Sequence, residues 1–434
     1  MEMASARRPM RARQSDQIVL WGACVLLSAL SLLLLAVSSG FGAARLTIAA
    51  GEISVLVRTT TSGSSTVDDV VVVAAEHCGV LDDDYNRLFV DGEWMRDDER
   101  RPLYEPWRCP FIDEGFRCRE NGRPDDAFAK WRWQPRHCTL PRFDAENLLE
   151  KLRNRRLVFV GDSIGRNQWE SMLCMLATAV AGDDKASIYE EKGSPITKHK
   201  GVLSFRFRDY NCTVEHYRSP YLVRRGRPPR RAPKHVGSTL QLDAMDSRAH
   251  RWKDADVVVF NTGHWWSHER LQQLHCYFQV GKKLRLDMSV EAAYQRAMST
   301  LSSWVHREVS SHKSLVIFRT YSPAHPRASN SGSCALETTP ELNSSRISLH
   351  RWPGMWNPAF EPSKSGTAAA AKLHVLNVTL MAAQRRDGHP SVYNVAPAAR
   401  MPAGQRADCS HWCLPGVPDA WNELLYAVIL KRFS

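Results

Sequence analysis

Leu157-Val-Phe-Val-Gly-Asp-Ser163-Ile-Gly-Arg-Asn-Gln168 is the stretch on which the reading of this chain turns. Four apolar residues make a short buried strand. Gly-Asp-Ser ends it, and from Gln168 to Ala181 the apolar residues recur at helical spacing. In an open α/β sheet, ligands sit outside the carboxyl ends of the strands. Ser163 is therefore expected at such an edge, near helix N-terminal amides able to stabilise an oxyanion. Taken alone, Ser163 also reads as a simple helix cap, a role serine fills constantly.

Outward from this motif, strands and helices alternate. A helix with an acidic start opens at Asp144, and the strand Arg156–Val160 follows it. Asp256–Phe260, Leu315–Phe318 and His374–Val378 read as further apolar strands, with an amphipathic helix from Val290 to Val309 and a closing helix from Ala420 to Arg432. Apolar strands separated by helices predict a parallel sheet covered on both faces. Near the C-terminus stands Asp408-Cys-Ser-His411-Trp-Cys413. A serine nucleophile needs a base, and the base needs a carboxylate to fix its tautomer. Asp and His three apart on one turn supply that couple, and bridged cysteines at 409 and 413 would pin it. The plainer reading is a disulfide-held surface loop with His411 a spectator.

The N-terminal portion bears on compartment. Residues 18–38 carry no charge and are long enough for the roughly 20 residues a membrane helix needs. Arg7, Arg8, Arg11 and Arg13 precede them, which leaves residues 1–17 as a cytosolic tail. A cleaved signal peptide is the competing reading, and both readings send the chain into the secretory pathway. Residues 39–75 read as a stem, with Val70–Ala75 apolar enough for an entry strand. Residues 76–143, rich in Cys and Trp, are too poor in aliphatic residues for a core of their own and are expected to pack on the larger part, 144–434.

Three glycosylation sequons, at Asn211, Asn343 and Asn377, suit that compartment. So do the cysteines. Cys24 lies in the apolar span, and the ten others are disulfide candidates: Cys78, Cys109, Cys118, Cys138, Cys174, Cys212, Cys276, Cys334, Cys409 and Cys413. Cys409 and Cys413 are too close together on one loop to pair well and are expected to bridge to distant partners. Cys409 and Cys413 around His411 have no comparable second pair, so no metal site is expected. The net charge of +12 is spread along the chain, without zinc-finger spacing, an RNA-recognition signature or a basic region with heptads. No nucleic-acid partner is expected. The basic, Pro-rich run 224–234 reads as a solvated loop rather than a binding tract.

Gly161-Asp-Ser with a late Asp-x-x-His is the pattern of the GDSL/SGNH esterase class. Longer strings are narrower: Cys78-Gly-Val, Trp131-Arg-Trp-Gln-Pro, Leu140-Pro-Arg-Phe, Val160-Gly-Asp-Ser-Ile-Gly-Arg-Asn-Gln-Trp-Glu-Ser, Asn261-Thr-Gly-His-Trp-Trp and Asp408-Cys-Ser-His-Trp-Cys-Leu-Pro-Gly-Val-Pro-Asp. Together they resemble the plant trichome-birefringence-like family of wall-polysaccharide O-acetyltransferases, from Cys78 to the end. The resemblance implies an SGNH-like three-layer α/β/α fold and a single-pass type II protein of the Golgi membrane. It also implies acetyl transfer to a cell-wall polysaccharide, xylan first and pectin or mannan as alternatives, with no bound cofactor and acetyl-CoA as donor. Ser163 takes the nucleophile position, His411 the base and Asp408 its orienting acid. Arg166 and Asn261, with Gly161 and Asp162, match oxyanion or substrate positions. Trp265 and Trp266, beside Asn261, are candidates for sugar contact. Residues 343–370 depart from the family's usual run, which bears on substrate choice. An acetyl esterase with the same triad and a non-catalytic Golgi polysaccharide-binding scaffold remain the competing functions.

Overall fold

The computed structural model describes residues 55–56, 73–74, 89–99, 101–180, 187–192, 201–310, 312–325, 334, 337–349, 353–356, 358, 373–399 and 407–433. The apolar span 18–38, its basic tail and Cys78 lie outside them, and among the described residues no helix is long and apolar enough to cross a membrane. Val55–Leu56 pairs antiparallel with Val73–Ala74 inside a separate unit, Met1–Glu76. The rest belongs to one unit, His77–Ser434.

That unit opens with an antiparallel pair, β1 (Gly92–Arg96) and β2 (Trp131–Pro135). Helix α1 (Ala145–Lys151), capped by the Asp144 side chain, leads into β3 (Arg156–Gly161), which runs straight into helix α2 (Ser163–Ala177). Strands β4 (Ile188–Lys192), β5 (Val202–Phe207), β6 (Cys212–Arg218), β7 (Val223–Gly226), β8 (Ser238–Met245) and β9 (Val257–Phe260) follow. Helix α3 (His268–Gln273), strands β10 (Cys276–Val280) and β11 (Lys283–Arg285), and helix α4 (Val290–Glu308) come next. Strands β12 (Leu315–Arg319) and β13 (Leu373–Leu376) and helix α5 (Val417–Arg432) close the chain.

The main sheet has the order β13-β12-β9-β3-β6-β5-β4. Its first five strands are parallel, as expected, but β5 runs against β6 and β4 against β5. The sheet is therefore mixed, not parallel. The cause is local: four residues separate Phe207 from Cys212, and Asn211 takes a left-handed φ of 47°. So short a link permits only an antiparallel neighbour.

Alternation along β3 assigns the two faces. Leu157 and Phe159 join the core built with α1, α2 and α5. Val158 and Val160 face a second core shared by α4 and by a smaller sheet, β11-β10-β8-β7. One face is thus helical, as anticipated, while the other carries α4 together with strands that went unforeseen. Helix α2 begins at Ser163 instead of Gln168.

The Cys/Trp-rich segment packs on this frame. Trp94 and Trp133 meet edge to face at 5.5 Å, and their indoles donate to Met381 O and Phe89 O, each at 2.8 Å. Disulfides Cys109–Cys174 and Cys118–Cys413 tie it to α2 and to the C-terminal loop, and Cys334–Cys409 holds that loop from the other side. Cys138 is also disulfide-bonded. Cys212 and Cys276, by contrast, are free thiols. Each is buried in a strand of a different sheet and in a different core, with no partner sulfur in reach among the described residues. The sequons differ in setting: Asn211 and Asn343 are exposed, whereas Asn377 is half-buried and its amide oxygen accepts from Thr320 Oγ1 and Thr379 N, both at 3.1 Å.

A bridge that closes a loop of 295 residues restricts the unfolded chain strongly. Replacing Cys118 and Cys413 together by Ala is expected to cost about 2 to 5 kcal/mol of stability. Denaturant unfolding under oxidising conditions measures this, and an unmoved midpoint would refute it.

Candidate active site

The turn after β3 is organised by Asp162. It is the N-cap of α2, and its Oδ1 accepts from Ile164 N at 3.0 Å and Gly165 N at 3.4 Å. Ser163 is accordingly the first helical residue and not the cap, so its hydroxyl is spared the bland role that sequence left open. Asn261 leaves the neighbouring strand β9 at the same edge, and its Nδ2 donates to Asp162 Oδ1 at 2.6 Å. A Cβ placed on Gly161 or Gly165 would lie 1.9 or 2.0 Å from Asn261 Oδ1. Both glycines are therefore required for Asn261 to sit across the turn. Behind it, Arg319 is fully buried; burial lowers its pKa to about 10, opposed by the charge of Asp162.

The second half of the site comes from the C-terminal loop. Asp408 pairs with Ser391 in a two-residue bridge. Its Oδ1 accepts from the amides of Ser410 and His411, both at 3.1 Å, and its Oδ2 from His411 Nδ1 at 2.7 Å. His411 is tilted against Phe116 at 5.2 Å, and its carbonyl accepts from His389 Nδ1 at 2.6 Å. Burial raises the Asp408 pKa, but the His411 hydrogen bond and charge, with the two amides, outweigh it and hold the carboxyl well below its usual range.

Helix α2 joins the halves. Asn167 Oδ1 accepts from Trp412 N at 2.8 Å, and Asn167 Nδ2 donates to Trp412 O at 3.1 Å. The next residue, Gln168, exchanges hydrogen bonds with Asn422, and one turn along Ser171 donates to Asp419 at 2.6 Å. Ser163 and His411 consequently line one pocket of about 170 Å³, together with Phe116, Asp162, Arg166, His216 and Arg218.

Arg166 lines this pocket, but its guanidinium is paired with Glu170 at 2.9 Å and Asp113 at 3.2 Å. Trp265 is half-buried and faces a neighbouring cavity, whereas Trp266 is fully buried, its indole donating to Thr262 Oγ1 at 2.8 Å. Trp266 is therefore a core residue and cannot meet a sugar. Sequence reading missed Phe116, His216 and Arg218. Burial and Arg166 push the His216 pKa down to about 3, which keeps the ring neutral. His216 and Arg218 share a face of β6 by their spacing of two, a signal visible only once β6 is known to be a strand. The run 224–234 also needs correction, because its first residues form β7 and Arg224 and Arg225 line the neighbouring cavity.

Comparison with known proteins agrees with this architecture. Residues 140–428 match the PC-esterase family, described as the GDSL/SGNH-like acyl-esterase family found in Pmr5 and Cas1p. Residues 88–139 match the PMR5 N-terminal domain. Trichome birefringence-like 9 of Arabidopsis thaliana is 43% identical over 78% of this chain and 83% of its own length. Trichome berefringence-like 7 of the same plant is 45% identical over 79% and 73%. Xylan O-acetyltransferase 13 of Oryza sativa subsp. japonica is 35% identical over 79% and 69%.

A depressed carboxyl pKa in the fold contributes stability above the ordinary value near 3.8, and that contribution is lost as pH falls below it. The stability gap between the parent chain and Asp408→Asn is thus expected to be widest near neutrality and to shrink below pH 4. Thermal unfolding from pH 7 to 3 tests it; a gap independent of pH contradicts the assignment.

Proposed function

The chain belongs to the PC-esterase family of GDSL/SGNH-like acyl-esterases, and on that premise we propose that it transfers acetyl groups to hydroxyls of a cell-wall polysaccharide, xylan first, by a Ser163–His411–Asp408 double displacement. The observation that carries this reading is the Asp408–His411 pair, 2.7 Å apart, lining the same pocket as Ser163. With Nδ1–H held by Asp408, the other ring nitrogen, Nε2, is left as the base. It takes the Ser163 proton as Oγ attacks the acetyl carbonyl of acetyl-CoA, then gives that proton to the departing thiolate. A sugar hydroxyl next surrenders its proton to Nε2 and attacks the acetyl-enzyme, and Ser163 Oγ leaves with the proton restored. The Ser163 amide, at the positive end of α2, and Asn261 Nδ2, which carries a second hydrogen, are assigned to the oxyanion. Arg166 fixes the first turn of α2 through its two carboxylates. The apolar run 18–38 and the exposed sequons support a Golgi membrane anchor with this region in the lumen.

The family description names an acyl-esterase, which favours one second reading: water replaces the sugar in the last step, and the chain removes acetyl groups. Incubation with acetyl-CoA and deacetylated xylan oligosaccharides separates the two. Acetylated oligosaccharide identifies transfer; acetate released from acetylated xylan identifies hydrolysis.

Ser163→Ala is expected to lower turnover about a thousandfold or more, and Asp408→Asn by a comparable factor, with folding intact. Retention of turnover in Ser163→Ala would end the proposal. Oligosaccharide binding without turnover in the parent chain would identify a scaffold instead.

A further inference from the structure

Beside the Ser163 pocket lies a cavity of about 430 Å³, within the range of small-ligand sites. Arg218 lines both spaces, so the two adjoin through its side chain. Arg224, Arg225 and Arg248 also line the larger one, and Asp246 is its sole acidic lining residue. Asp246 is spent: Arg248 clasps it with Nε at 3.0 Å and a terminal nitrogen at 2.8 Å, and Ser219 Oγ donates to it at 2.9 Å.

Three guanidinium groups remain. Among the described residues, Arg218, Arg224 and Arg225 have no carboxylate at ion-pair distance. Arg225 reaches the Ser238 hydroxyl, at 3.2 and 3.1 Å, and lies against the Cys276 thiol, neither of which balances its charge. Arg218 is half-buried, and its guanidinium stands 5.3 Å from the ring centre of Trp265, which Arg270 approaches at 5.2 Å. Burial, then repulsion from Arg166 and Arg248, lowers its pKa. A half-buried cation beside like charges is relieved by an anion from outside. The planar fork of arginine suits a carboxylate, and a half-buried indole beside it suits the apolar face of a sugar ring.

We infer that this cavity is an acceptor subsite for the carboxylate of a uronic-acid residue, with Arg218 and Arg225 as its ligands and Trp265 as its wall. The inference rests on the acceptor reading above and refines it. A chain lying across both spaces presents an acidic sugar to Arg218 while a neighbouring hydroxyl enters the Ser163 pocket. The carboxylate can come from a galacturonate backbone or from a glucuronate branch on xylan, and both are met by the same chemistry.

Calorimetry on the full-length Ser163→Ala protein tests this without requiring turnover. The probes are oligogalacturonides, glucuronic-acid-branched xylo-oligosaccharides and carboxyl-reduced forms of each. At least one acidic probe is expected to bind about tenfold or more tightly than its reduced form, less so in high salt. Which one binds decides between backbone and branch. Adding Arg218→Gln, or the exposed Arg225→Gln, is expected to abolish that preference. Equal binding of acidic and reduced probes, or a preference that survives both arginine changes, overturns the inference. So does displacement of the acidic probe by coenzyme A through Arg218, which would assign the cavity to donor phosphates. Charge-blind binding alongside Ser163-dependent acetylation sinks this subsite alone, whereas turnover that persists without Ser163 sinks the catalytic reading.

Discussion

One carboxamide holds the two halves of this protein's site together. Asn167, four residues after Ser163 on α2, both accepts from and donates to the backbone of Trp412, the residue after His411. The exchange copies a pair of strand hydrogen bonds, with a side chain on one side. It fixes the loop in translation and rotation at once. Both groups are buried, so breaking the clamp leaves donors and acceptors unpaired, at about 1–3 kcal/mol for each. Position matters more than that energy. The proposed triad would demand sub-ångström placement, and the clamp ties the loop to Ser163 through helix geometry, because Ser163 and Asn167 lie one turn apart on the same face.

The loop is also held by contacts that do not involve Asn167. Asp408 closes a turn on its own following amides, Ser391 pairs with it from one side, and disulfides fix both neighbouring cysteines. Trp412 fills the space beneath, stacked on His389 at 4.1 Å. The Cys/Trp-rich segment is part of this scaffold as well. It supplies Phe116 against His411 and Asp113 to Arg166, so the site draws on this segment as well as on α2, β6, the end of β9 and the C-terminal loop. Its buried aromatic residues Trp94, Phe111, Phe116 and Trp133 share one core with α1, α2 and α5.

Residues buried for a single reason were legible in the sequence. Leu157–Val160, Val257–Phe260 and Leu315–Phe318 are apolar on both sides because helices or strands cover both faces, and their runs announce it. Gly161-Asp-Ser163 and Asp408-x-x-His411 were legible as candidates only in combination and within the longer strings around them, since each alone also suits a helix cap or a disulfide-held loop. The strand β6 was not. It reads Cys-Thr-Val-Glu-His-Tyr-Arg, and its one carboxylate is buried by pairing: Glu215 takes a bidentate contact from Arg156 and a hydrogen bond from Tyr217. No periodicity reveals a partner 59 residues away. The same limit explains the cysteines, since an even count suggested bridging while Cys212 and Cys276 lie in cores that never meet. It also explains Trp265 and Trp266, adjacent in sequence and opposite in fate because one turn of chain points them to different sides.

Arg166 and Arg218 show how partners, not residue type, decide what a charge can do. Both line the pocket of Ser163. Arg166 is nearly buried, and two carboxylates hold it, so its charge is used in fixing α2 and little of it is available to a ligand. Arg218 sits on β6 with aromatic and cationic neighbours and no carboxylate in contact among the described residues, in a position where water shields it only in part. A low-dielectric setting enlarges an unbalanced charge as readily as it strengthens a balanced one. Of the two arginines that line the Ser163 pocket, one is thus balanced by carboxylates and the other is open toward the adjoining cavity. On the proposed reading, that difference leaves the attraction for an anion with Arg218, which also lines the larger cavity, and not with Arg166.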